Sequence, residues 1–169
     1  QLETAIHALG TSGAGNEEGY AQSIKGLNAD NPAVAGNQSW LRAGSVVAAL
    51  IVSDEDNCSQ GCGPANTAWM KSELQNLGRT PGDDARIYGI IRRDASECSS
   101  AAHIGDQYME GIEQTNGIAG AICDADYGPT LQRISADIGV IANTTFELDH
   151  APYSVATLEV WINGTKYEG

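Results

Sequence analysis

Basic residues are scarce in this chain: 9 Lys and Arg stand against 22 Asp and Glu, for a net charge of −13. A surface with that balance repels phosphate backbones and anionic lipid, which argues against nucleic acid and membrane-surface binding. It favours cations, as bound metal or as a diffuse counterion cloud, and it equally serves solubility in a salty medium. Histidine and cysteine are few, at 3 and 4. Cys58 and Cys62 miss the Cys-x-x-Cys spacing, and no His lies near a Cys pair in sequence. A zinc site is therefore disfavoured, and disulfides formed in an oxidising compartment are expected. No apolar run is long enough to span a membrane, and no internal repeat is evident. Ser53 lacks the flanking glycines of a nucleophile elbow, so a Ser-His-Asp triad drawing on His7, His103 or His150 has little support. A chain that starts at Gln1 with neither Met nor a basic-apolar leader reads as processed, excised or truncated.

What the chain does have is length and pattern. Its 169 residues suit one domain with a short appendage, and 41% apolar with 18% charged residues is ordinary for a globular protein. The dominant stretch is Val46–Val52, seven apolar residues running into Asp54, Glu55 and Asp56. Such a run predicts a strand buried on both faces, as in parallel sheets covered by helices. A helix follows from Asn66, its N-cap, to Leu77, with Gly78 as its stop. Strands over 86–92 and 117–123 alternate with helices over 105–115 and 130–142, which is the βαβ signature of a parallel sheet. Upstream, a glycine-rich loop over 11–19 feeds a helix carrying Tyr20, Ile24 and Leu27. A last run, 144–148, is a candidate edge strand. Beyond Pro152 the pattern changes to a strand ending at Ile162 and an Asn163-Gly164 hairpin turn. The fold class is therefore α/β, mainly parallel, over 1–150, with a β-rich extension over 151–169.

Asp54 and Asp56, Asp94, and Asp124 and Asp126 all follow predicted strands, so a parallel sheet sets them on one rim. Carboxylates gathered there repel one another unless a cation, or Arg92 and Arg93, compensates. Capping of the next helix is the preferred reading for Asp124 and Asp126, and metal ligation for Asp54 and Asp56. The expected disulfides are Cys58–Cys62 within a loop and Cys98–Cys123 between adjacent strand ends.

The segments Gly10-Thr-x-Gly-x-Gly-Asn-Glu-Glu-Gly19, Trp40-Leu-Arg42, Val46–Val52 into Ser-Asp-Glu-Asp-Asn-Cys-Ser59, Gly105-Asp-x-Tyr108 and Ile122-Cys-Asp-Ala-Asp-Tyr127 resemble those of bacterial von Willebrand factor A-type domains. The likeness covers about residues 1–148. It implies a doubly wound sheet holding Mg²⁺ or Ca²⁺ at an adhesion site on its upper rim. By position Asp54 matches the ligand after the buried strand, and Asn16 or Glu17 stands where the family has Thr. The family's Asp-x-Ser-x-Ser loop is absent, which implies a missing half-domain supplied from upstream or by another chain. The resulting expectation is a non-enzymatic, extracytoplasmic binding and adhesion module for a protein partner. The alternatives are a structural subunit of an extracellular assembly and a metal-dependent phosphoryl hydrolase using Asp54 and Asp56.

Overall fold

The computed structural model describes residues 16–28, 41–42, 44–58, 63, 65–97, 101, 103–142, 150, 154, 159–162 and 165–167. The expected 144–148 strand, Cys62 and Cys98 lie outside the described residues.

In chain order the elements are α1 (Gly19–Leu27), β1 (Val47–Val52), α2 (Thr67–Asn76), β2 (Ala85–Ile91), α3 (Asp106–Gln114), β3 (Ala119–Ala121), α4 (Gly128–Ala142), β4 (Val160–Ile162) and β5 (Thr165–Tyr167). The first three strands form one parallel sheet in the order β1-β2-β3. β4 and β5 form a separate antiparallel pair with Ile162 opposite Thr165, and the expected Asn163-Gly164 turn lies outside the described residues.

Alternation along the strands sorts the sheet into two faces. Val47 and Ile51 of β1 and Ala85, Ile87 and Ile91 of β2 turn to one face, where they bury against Tyr20, Ile24 and Leu27 of α1, Met70 and Leu74 of α2, and Tyr108 and Ile112 of α3. Tyr20 and Tyr108 meet edge-on, with ring centroids 5.3 Å apart and an interplanar angle of 87°, a geometry that sets one ring's positive edge on the other's negative face. The opposite face belongs to α4. Asp137 accepts a 2.6 Å hydrogen bond from Arg86 and a 2.7 Å one from the Tyr88 hydroxyl, both on β2. Burial pushes the Asp137 carboxyl up, but hydrogen bonds from Arg86 and Tyr88 and the Arg86 charge outweigh it, leaving a downward shift.

The expected two-sided burial of Val46–Val52 is corrected here. Among the described residues β1 is the edge of the sheet, and it is buried on one face only, with Leu50 45% and Val52 58% exposed on the other. The strand buried on both faces is β2, which has a neighbour on each side and a helix layer above and below. Element ends otherwise fall close to expectation. Asn66 accepts from the Trp69 amide at 3.0 Å as the α2 N-cap, and Gly78 takes a positive φ of 72° after the helix end. α4 begins two residues earlier than predicted, with Pro129 in its first turn, where its missing N–H costs nothing.

Two glycines make opposite predictions. A Cβ on Gly117 would sit 1.8 Å from the Ile87 carbonyl oxygen, backbone that cannot yield, whereas one on Gly139 within α4 meets nothing within 4 Å. Gly117→Ala is expected to lose about 3 kcal/mol in urea unfolding, and Gly139→Ala to gain roughly 0.5–1 kcal/mol.

Candidate functional site

Because the sheet is parallel, the carboxyl ends of β1, β2 and β3 share one rim. α1, α2 and α3 begin at this same rim, so their positive N-terminal ends converge there. The residue that ties them together is Asn57, fully buried just past β1. Its Oδ1 accepts from the Tyr20 amide of α1 at 3.3 Å, and its Nδ2 donates to the Ala65 carbonyl, ahead of α2, at 2.7 Å. Nδ2 also donates to Gln107 Oε1 of α3 at 3.4 Å, and Gln107 Nε2 donates back to the Asn57 carbonyl at 2.8 Å. The Gln107 carbonyl in turn accepts the hydroxyls of Tyr20, at 2.6 Å, and Thr67, at 3.2 Å. No reading of the sequence gave Asn57 or Gln107 this docking role. The available signal was an Asn directly after three acids, a position where an amide both donates and accepts.

The expected rim acids separate into two kinds. Asp56 faces inward: its Oδ1 accepts from the amides of Asn57, at 2.8 Å, and Gln107, at 3.0 Å, so it serves the first turn of α3. Burial pushes its carboxyl up, against the lowering effect of those amides. Asp126 accepts from the Gly128 amide at 2.8 Å, at the start of α4, which is the capping role preferred for it. Asp124 is exposed nearby. Asp94 turns back on its own loop, taking the Ser96 amide at 2.7 Å and the Ser96 hydroxyl at 2.5 Å, and these bonds lower its carboxyl. Neither arginine compensates the β1 acids. Arg93 pairs with Glu97 at 2.6 Å and Arg92 donates to the Ala101 carbonyl at 3.1 Å.

Asp54, Glu55 and Glu17 make up the second kind. The Glu17 carbonyl accepts the Cys58 amide, which stitches the start of α1 to the loop after β1. Burial first, then the charges of Glu55 and Asp54, push the Glu17 carboxyl above its ordinary value. Those causes place all three carboxylates in one field although 38 positions separate Glu17 from Glu55 in sequence. Asp54 is exposed, and its carboxylate makes no hydrogen bond among the described residues. His103 approaches Glu55 at 4.0 Å, and its amide donates to the Asp54 carbonyl at 3.2 Å. Asn16 is half-buried immediately before Glu17. The Ser53 hydroxyl is buried and donates to the Glu55 carbonyl at 3.0 Å, which fixes the turn out of β1. Cys58 holds a positive φ of 57°, a costly conformation for a residue with a Cβ. It is disulfide-bonded, as is Cys123. Among the described residues, no three His, Cys, Asp or Glu side chains are gathered as a ready-made metal ligand set.

Comparison with known proteins adds no assignment: no family model, curated protein or solved structure matches the chain. Among the described residues no helix is long and apolar enough to cross a membrane.

The Glu17 shift has a pH consequence. An acid whose carboxyl is raised on folding binds more protons folded than unfolded, so it costs stability above its folded pKa and the cost fades as pH falls through that value. Glu17→Gln is therefore expected to be more stable than wild type at pH 7, with the difference gone below the ordinary value of 4.5. Paired urea titrations at the two pH values would show it, and equal stabilities at pH 7 would contradict it.

Proposed function

We propose that this chain is an extracytoplasmic, non-enzymatic binding module that recognises a protein partner at the carboxyl rim of its sheet. The reading draws on the resemblance to von Willebrand factor A-type domains. The observation that carries it is the Cys58 amide donating to the Glu17 carbonyl, which holds Glu17, just before α1, beside Asp54 and Glu55, just after β1. Like charges held together favour a cation, and the rim arginines are occupied elsewhere. Mg²⁺ or Ca²⁺ is the proposed cation, with Asp54 and Glu17 as carboxylate ligands and Asn16 beside them. Hard divalent cations take carboxylate and amide oxygens of this type. Asp56 is the weaker candidate because its Oδ1 already serves Asn57 and α3. The partner supplies the remaining oxygen ligands, which accounts for an incomplete set among the described residues.

Calorimetric titration with Mg²⁺ and Ca²⁺ tests the metal part. Wild type is expected to bind one of them and Asp54→Ala to bind at least tenfold more weakly, about 1.4 kcal/mol. Failure of both ions to bind wild type would remove the metal from this reading.

A further inference from the structure

We infer that β1 pairs antiparallel with β1 of a second copy of this chain, joining two three-stranded sheets across a two-fold axis at Leu50. This surface adjoins the acidic rim at the end of β1 and goes beyond the function proposed above. Four observations carry it. First, among the described residues nothing pairs with the outer edge of β1. Val47 and Ser53 donate their amides to Asp84 and Ile90 on the β2 side, so the period of two turns the amides of Ala48, Leu50 and Val52 outward.

Second, that edge is self-complementary. Antiparallel hydrogen-bonded pairing joins outward amides to outward amides, and centring it on Leu50 sets Leu50 opposite Leu50 of the second copy and Ala48 opposite Val52. These are the residues exposed on the face that α4 leaves bare, with Leu50 at 45% and Val52 at 58%. Pairing would merge two short apolar strips into one, with a large residue against a small one at each flank.

Third, the other face has room. A groove of about 250 Å³ lies between Gln22, Ser23, Gly26 and Leu27 of α1 and residues Val47 to Leu50 of β1. The same register points Ile51 of the second copy at Ala49 beside this groove, and a Cβ at Gly26 would meet nothing within 4 Å.

Fourth, the charges at the two ends of β1 are opposite. Arg42 is exposed ahead of the strand, and Asp54, Glu55 and Asp56 follow it. An antiparallel partner brings each acidic exit to the other copy's Arg42 entry, whereas a parallel partner of the same sequence would set acid against acid. The net charge of −13 on each copy opposes encounter at low ionic strength, and salt screens that repulsion.

Cysteine scanning at physiological ionic strength decides it. In a hydrogen-bonded antiparallel pair the Cα atoms lie about 5.5 Å apart, within disulfide reach. Under mild oxidation Leu50→Cys is expected to give about tenfold more covalent dimer than Val52→Cys alone, while a mixture of Ala48→Cys and Val52→Cys gives the mixed dimer. These side chains are exposed, so the variants fold. Wild type is expected to sediment as a dimer. Equal cross-linking of Leu50→Cys and Val52→Cys would mean random collision and overturn the proposal. So would a wild-type monomer, which is the outcome if another segment of this chain or a different protein covers β1. Neither result bears on metal binding by Asp54, which calorimetry reads separately.

Discussion

The rim of this protein depends on one buried amide. Asn57 sits where α1, α2 and α3 all begin, and it exchanges hydrogen bonds with a residue at or just before each start. An unpaired polar group at such a depth would cost about 1–3 kcal/mol, so the packing is tolerable only because both ends of the amide are occupied. Hydrophobic burial brings three helices to the same face of the sheet, but burial has no direction. The amide supplies direction, fixing how far each helix slides along the sheet and hence where Glu17, Asp54 and Glu55 come to rest.

The acids around Asn57 are stabilised in different ways, and this explains why so many can share a rim. Asp56 and Asp126 rest on backbone amides at the first turns of α3 and α4, where a helix end supplies about half a positive charge. Asp94 is satisfied within its own turn. Arg92 and Arg93 turn elsewhere, Glu55 meets His103 at 4.0 Å, and Glu17 has a carboxyl raised by burial and by the charges of Glu55 and Asp54. Helix capping and hydrogen bonds within local turns thus account for part of this acidic rim.

Periodicity made much of the sheet and its crossovers legible. Asn66 and Gly78 marked element ends through local backbone chemistry that neighbours do not override. The burial of β1 was misread for a physical reason: an unbroken apolar run is the same string whether a strand lies in the middle of a sheet or at its edge. β2 earned two-sided burial through its neighbours, with Arg86 in its midst paired to Asp137. The site was half legible. Strand-end position put Asp54 and Asp56 on the rim, and the cap preference found Asp126. The roles of Asn57 and Gln107 were invisible because they exist only once the fold brings together two residues 50 positions apart.

The central claim, that Asn57 sets the rim by docking three helix starts, is tested most directly by Asn57→Ala, followed by urea unfolding and amide exchange. The expected result is a loss of about 3 kcal/mol or more, since partners on several elements are left unpaired in a buried site, together with faster exchange at the Tyr20 and Gln107 amides. A loss below about 0.5 kcal/mol, the range of an ordinary surface substitution, with exchange unchanged at both amides, would contradict it.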